Sequence, residues 1–331
     1  MTVGVIITVF NLEKYVAEAI ESVLAQSFLP HRIIVVNDDS ADNSKNVIEL
    51  FKDRVELLNN EQNQGVLPSI ISAMKKLDTD IFAFLDGDDR WHPDKLKFVM
   101  QAFERDEQAM LVTHSYRRMN AAGDIDPGKD KTLRNLERIE NLKGTREQID
   151  RDLKNSILSY KGVWLGSAFA IRKNCLDQTK FEQWSTNIWG HSLSHQDQPL
   201  AAFLILTNPE GRIIYLRDKL FDYRIFGENS SGSSATLEKA LRTLSRSKAT
   251  LLRTHDAVSK MKDRPRELKT QTNKLREIDY LNFLYTRKLN RAFPLFFSLF
   301  VSHWDVREKF KESVRLAGIL LLGTNRLLKH K

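Results

Sequence analysis

The chain has 331 residues, 41% hydrophobic and 9% aromatic, enough for a real core and too many for wholesale disorder. Its single cysteine, Cys175, excludes an intrachain disulfide and a cysteine-rich zinc site. The net charge of +8 is uneven: from Ala235 onward 22 Lys and Arg face 9 Asp and Glu (+13), and the rest carries 29 against 34 (−5), so the basic C-terminal region is expected to present a solvated helical face or one suited to an anionic surface.

Residues 3–9 are a continuous apolar run, as in a strand buried on both faces. Nothing in residues 1–10 has the basic-then-apolar order of a signal peptide, so a cytoplasmic location is expected. Residues 12–25 carry apolar side chains at helical spacing, including Val16, Ala19, Ile20 and Val23. Strands are expected at 32–36, 55–58, 81–85 and 111–117, and helices at 42–51, 66–77 and 93–103, with Asp42 capping the first of these. Such alternation implies a mostly parallel sheet with helices on both sides. Residues 120–161 read as a polar insertion with a helical middle. Further strands are expected at 163–171, 212–216 and 220–225, the last two antiparallel, with an apolar helix ending near Thr207. From Leu237 the period is helical, and Pro265 should divide the region into a helical hairpin. Two later apolar stretches, 293–301 and 316–322, are shorter than the roughly 20 residues of a spanning helix.

Ligands in such sheets bind beyond the carboxyl ends of the strands. Three strand ends carry polar groups: Thr8-Val9-Phe10-Asn11, Asn37-Asp38-Asp39-Ser40 and Asp86-Gly87-Asp88-Asp89. Carboxylates one residue apart at a strand end can share Mg²⁺ or Mn²⁺, with a small residue between them leaving room for a diphosphate. Asp38 is assigned to a ligand's base or ribose, and Asp42 to its helix. Asp197 stands at a helix start, either as a favourable dipole partner or as a general base. Arg224 ends the last strand and is either a phosphate contact or part of a salt bridge. Trp91, Trp164 and Trp189 suit sugar stacking or core packing.

The segments around Thr8–Asn11 and Ser22–Ser27, then Val36–Ser44, then Phe84–Trp91 resemble the nucleotide-binding half of glycosyltransferase family 2. Asp197-Gln198-Pro199-Leu200 and Tyr223-Arg224, with Gly227, Asn229 and Gly232, are similar to its acceptor half, particularly in bacterial polysaccharide and rhamnosyltransferase-like members. The resemblance covers about residues 1–234. It implies an α/β GT-A fold, a Rossmann-like, mixed and mostly parallel sheet flanked by helices, to which the helical period after Leu237 adds a C-terminal helical extension. It implies a nucleotide-sugar-binding half at 1–118 and an acceptor half at 119–234; the basic helical region at 235–331 is read from its own period and charge.

The activity implied is inverting transfer of a sugar from a nucleotide-sugar donor to a glycan or lipid-linked glycan acceptor. Carried over by position, Asp38 contacts the base, Asp86 the ribose, Asp88 a Mn²⁺ or Mg²⁺ ion, and Asp197 is the general base. Thr8, Phe10, Asn11, Gly87 and Arg224 complete the expected donor site. Two positions depart from the family pattern: Asp39 stands where glycine is usual, and Phe226 where many members have histidine. The basic tail is expected to serve peripheral contact with the inner face of the cytoplasmic membrane or a homodimer, with no nucleic-acid partner. The rivals are a nucleotidyltransferase, whose glycine-rich phosphate loop is absent after the first strand, and a catalytically inactive nucleotide-sugar-binding or membrane-associated scaffold.

Overall fold

The computed structural model describes residues 1–126, 139, 141–158, 165–186, 197–226, 236–260, 265–322 and 324. Trp164, Trp189 and the loop at 227–233 lie outside the described residues, as does the basic C-terminus from 325. The chain separates into two compact units, one holding the described residues to Phe226 apart from Leu158, the other the helices from Leu237 onward.

The first unit is built on one eight-stranded sheet of order β3-β2-β1-β4-β7-β6-β8-β5. β1 (Val3–Val9), β2 (Arg32–Asn37), β3 (Glu56–Asn59) and β4 (Ile81–Asp86) pair in parallel. All seven residues of β1 are buried, as its unbroken apolar run requires of a central strand covered on both faces. Parallel pairing needs crossovers, supplied by α1 (Val16–Leu24), α2 (Ser44–Glu49) and α3 (Val66–Lys76). α1 turns Val16, Ala19, Ile20 and Val23 inward, matching the expected helical spacing. The C-terminal ends of β1, β2 and β4 therefore lie along one edge.

The second half of the sheet is mixed. β7 (Ala170–Arg172) runs antiparallel to both β4 and β6 (Ala109–Asn120), and β8 (Arg212–Ile225) is parallel to β6. β5 (Arg90–Trp91) pairs antiparallel at the edge of β8. Two expectations are corrected. Of the strand expected at 163–171, residues 163–164 lie outside the described residues, and the rest holds a tight turn, Gly166–Ala168, before the three-residue strand Ala170–Arg172. The two antiparallel strands expected at 212–216 and 220–225 are a single 14-residue strand. Its charged middle, Arg217-Asp218-Lys219, is exposed but does not end it, because pairing with β6 resumes after an irregularity at His114 and Ser115. α4 (Lys95–Arg105), α5 (Arg146–Leu158), α6 (Gln178–Thr186) and α7 (Asp197–Thr207) complete the unit.

The second unit contains α8 (Leu237–Ser259), α9 (Pro265–Tyr285), α10 (Leu289–Ser302) and α11 (Val306–Leu322). Pro265 opens α9, where a missing N–H costs nothing, so the expected division into α8 and α9 stands. Tyr280, Phe296 and Trp304 form an aromatic triangle with ring centroids 5.4–5.8 Å apart. Leu284, Ala292, Leu299 and Ile319 pack with them. Phe297, Val301, Val306, Phe310, Val314 and Leu321 remain exposed. Among the described residues no helix is long and apolar enough to cross a membrane.

Candidate active site

The loops after β1 and β2 are stitched together by side-chain hydrogen bonds. The Asn11 amide donates to Ser40 Oγ (3.0 Å), and Asn11 Oδ1 accepts from the Ala41 amide (2.8 Å). The Leu12 amide donates to Ser44 Oγ (2.8 Å) and the Glu13 amide to Asp42 Oδ2 (3.0 Å). Asp42 Oδ1 accepts from the Ser44 amide at the start of α2, but the cap position expected for Asp42 is held by Asn43, because the helix starts two residues later than expected. Asn11 and Asp39 adopt left-handed backbone, φ 54° and 59°. Asp39 is where the family pattern has glycine, and the angle explains why: only residues without a Cβ clash, or short polar ones, settle there readily. Phe10, beside this loop, is about half exposed.

Asp38 is buried, and its carboxylate ties the β2 end to the segment after β3. It accepts from Asn60 Nδ2 (2.7 Å), the Gln64 amide (3.0 Å) and the Gly65 amide (2.7 Å). The residue singled out for ligand contact thus also shapes the loop that borders the site.

Beyond β4 the chain turns tightly, the Asp89 amide donating to the Asp86 carbonyl (3.0 Å). Asp86 lies opposite Thr8 in register, and the Thr8 hydroxyl donates to its carboxylate (3.4 Å). Gly87 donates its amide to the Thr8 carbonyl (2.9 Å), and an added Cβ would meet that oxygen and Val9 Cγ2 at 2.9 Å. Here the glycine serves close approach of the turn to β1; room for a diphosphate was the reason expected for it. Asp86 and Asp88 are half-buried, whereas Asp89 is buried and points inward. Asp89 accepts from Ser167 Oγ (2.6 Å) and the Arg224 amide (2.9 Å). Burial, and then the nearby Asp88 and Asp86 carboxylates, hold its carboxyl well above the usual range.

Of the two roles open to Arg224, a phosphate contact or a salt bridge, the structure shows the salt bridge. The Arg224 side chain is 2% exposed and pairs with Glu18. It also donates to the carbonyls of Asp88 (2.8 Å) and Ala121 (3.0 Å), with its guanidinium over the Tyr15 ring. A fork committed to so many partners supports the acidic turn from behind and has no face left for a diphosphate. Phe226 packs on the same Tyr15 ring, with centroids 4.8 Å apart. Trp91 is 2% exposed and donates to the Ser167 carbonyl, which makes it a core residue and not a stacking platform.

Asp197 begins α7, and its carboxylate accepts from the Gln198 amide (2.7 Å). Burial, reinforced by the Asp86 carboxylate, raises its pKa to about 7, against the pull of that amide. A carboxyl so poised changes protonation near neutral pH, as general-base work requires. The influence of Asp86 links α7 to the acidic turn across the sheet edge. His195, two residues before it, lies outside the described residues.

The donor set suits a hard divalent cation held jointly with substrate. Among the described residues no three His, Cys, Asp or Glu side chains form a metal cage. The Asp86–Asp88 pair supplies one or two carboxylates, as Mg²⁺ or Mn²⁺ uses when phosphate oxygens and water complete the shell. Sequence reasoning missed Ser167, Glu18 and Lys95, all of which support this turn from distant elements. The sequence carries no signal for them, because each acts through partners far along the chain.

Comparison with known proteins agrees with this geometry. The family model described as glycosyl transferase family 2 matches residues 4–173. An uncharacterised glycosyltransferase of Nostoc sp. is 29% identical over 249 residues, covering 72% of this chain and 70% of that protein. A UDP-glucose:α-D-GlcNAc-diphosphoundecaprenol β-1,3-glucosyltransferase of Escherichia coli is 35% identical over 96 residues, 29% of this chain and 38% of that protein. A mannosyltransferase from Pyrobaculum calidifontis, solved with GDP-mannose and Mn²⁺, shares the fold at TM-score 0.56 and 12% identity, covering 99% of this chain and 84% of that one.

Proposed function

Because the chain belongs to glycosyl transferase family 2, we propose that it transfers a sugar with inversion from a nucleotide-sugar donor to a glycan or lipid-linked glycan, in the synthesis of a bacterial surface polysaccharide. The observation that carries this reading is the pairing of an acidic strand end, Asp86 and Asp88, with a carboxylate titrating near pH 7 at the start of α7, Asp197. In this reading residues 1–234 are the transferase domain, 1–118 its nucleotide-sugar half and 119–234 its acceptor half, with a helical region at 235–331.

Asp38 and Asp86 hold the nucleoside, lined by Thr8, Phe10 and Asn11, and Asp88 holds Mn²⁺ or Mg²⁺. The bound cation supplies positive charge to the departing diphosphate. Asp197 accepts the proton of the acceptor hydroxyl as that oxygen attacks the anomeric carbon opposite the leaving group. The Mn²⁺ of the Pyrobaculum enzyme and the diphosphoundecaprenol acceptor of the Escherichia coli enzyme support the metal and the acceptor class. Arg224 has no role toward the donor here beyond steadying Asp88.

A lipid-linked acceptor fits docking of α10 and α11 on the inner face of the cytoplasmic membrane. Val306, Phe310 and Val314 recur every fourth residue on α11 and are exposed, with Arg307 and Lys311 beside them. Homodimerisation through the same helices would bring two basic surfaces together, so an anionic lipid surface is the better match.

The test is a panel of nucleotide sugars screened by thermal shift with and without Mn²⁺, followed by transfer assays on the hits. A metal-dependent shift and sugar release to an acceptor or water are expected. Stabilisation by none of the panel would remove the proposal.

A further inference from the structure

Ser167 sits at the centre of the tight turn Gly166–Ala168 and is fully buried. Its hydroxyl accepts from the Asp86 amide (3.0 Å) and donates to Asp89 Oδ2 (2.6 Å). One oxygen thus grips the first and last residues of Asp86-Gly87-Asp88-Asp89. The Ser167 carbonyl in turn accepts from Trp91 Nε1 (3.1 Å) and Lys95 Nζ (2.7 Å). Lys95 is itself fully buried, with its ammonium 3.5 Å from the Trp91 ring centroid. The turn is closed on its other side by the Arg224 amide on Asp89 Oδ1 and Arg224 Nε on the Asp88 carbonyl.

Removing this hydroxyl takes one partner from the half-buried Asp86 amide and one from the buried Asp89 carboxylate. Such groups move to find another. Asp86 and Asp88 ride on the backbone between the two anchored points, so any such movement changes the spacing of their carboxylates. A core serine holding two groups unrelated to ligand would have no such lever.

We propose that Ser167 is a positioning residue of the donor site: by clamping both ends of the acidic turn through one hydroxyl, it sets the separation of the Asp86 and Asp88 carboxylates and hence the fit of the divalent cation. The inference rests on the reading of that turn given under Proposed function. Lys95 acts one step further out, fixing the Ser167 backbone from below.

The experiment measures Mn²⁺ affinity of the full chain from the free-ion paramagnetic resonance signal, with UDP, GDP or dTDP present. It is done well below the melting temperature of every variant. Ser167→Ala should weaken Mn²⁺ binding about 10–100-fold, the usual effect of losing a group that orients a ligand. Ser167→Cys, near in size and able to donate weakly, should fall between wild type and Ser167→Ala. A Ser167→Ala protein that melts earlier yet binds Mn²⁺ like wild type overturns the proposal, since that is the signature of a core residue alone. If Ser167→Ala does not fold, wild-type affinity in Ser167→Cys overturns it equally. Asp88→Ala separates the two levels. Full Mn²⁺ affinity in Asp88→Ala, or no nucleotide-dependent Mn²⁺ binding by wild type, rejects the reading of the turn itself and the positioning role with it.

Discussion

Glu18 and Arg224 form an ion pair that joins α1 to the last strand of the sheet, and the same guanidinium caps the Tyr15 ring with its centre 4.7 Å from the ring centroid. Arg90 reaches Glu18 as well (2.6 Å) and Asp222 (2.8 Å), and Arg117 closes on Asp222 (2.6 Å). The acidic turn is thus backed by a charge network that is buried at Arg224 and Asp222 and partly exposed at Glu18, Arg90 and Arg117.

Arg224→Ala should therefore act first on stability. Its loss removes a donor from the Asp88 and Ala121 carbonyls, while Glu18, 36% exposed, keeps Arg90, so the cost should be about 1–3 kcal/mol. Denaturant titration is the measurement. A variant with unchanged stability and selectively lost donor affinity would restore the phosphate contact.

Asp197→Asn should lower turnover by about 10²–10⁴-fold and leave donor affinity nearly intact, because a general base acts on the acceptor. Stopped assays and nucleotide titration on the same preparation check both halves.

The pH profile follows from the same carboxyl. Its pKa is raised to about 7, and the working form is the deprotonated one. The rate should climb with pH through about 7 and level off above it, losing about tenfold per unit on the acid side. The Asp197→Asn variant should lose that limb. A limb that persists belongs to another group.

Asp88→Ala should abolish the difference between assays with and without chelator. Equal metal response in wild type and variant would remove Asp88 from the metal site.

At Asp39, with φ 59°, substitution by valine should cost about 1–2 kcal/mol, since a β-branched residue has no relief in left-handed backbone. Glycine should be nearly neutral, its freedom in the unfolded chain offsetting the relieved strain. Thermal unfolding of the two variants distinguishes them.

The central strands were legible because burial on both faces leaves one signature, an unbroken apolar run, as in Val3–Val9 and Ile81–Leu85. The strand-end carboxylates were legible for the converse reason, polar groups where such a run stops. β8 was misread because Arg217-Asp218-Lys219 has the composition of a turn; only pairing with β6 carries the strand through it. Ser167 left no trace, since a single serine in a three-residue turn has neither period nor motif, and its weight comes from partners far along the chain. For Arg224 the sequence leaves a phosphate contact and a salt bridge open, because its partner Glu18, 206 residues away, is identified only by the fold. In the tail, Phe296 and Phe297 are neighbours of equal hydrophobicity, yet helical geometry sends one to the core and the other outward.

The stitched loops after β1 and β2 bear on how a ligand is received. The side chains of Asn11, Ser40, Asp42 and Ser44 accept hydrogen bonds from backbone amides of the facing loop before anything arrives. A molecule binding against that edge meets a finished surface and freezes little chain, so the free energy of its contacts goes into affinity instead of into ordering the protein. Loosening a single stitch, such as Ser40, would then weaken every ligand of that edge alike, whatever its sugar.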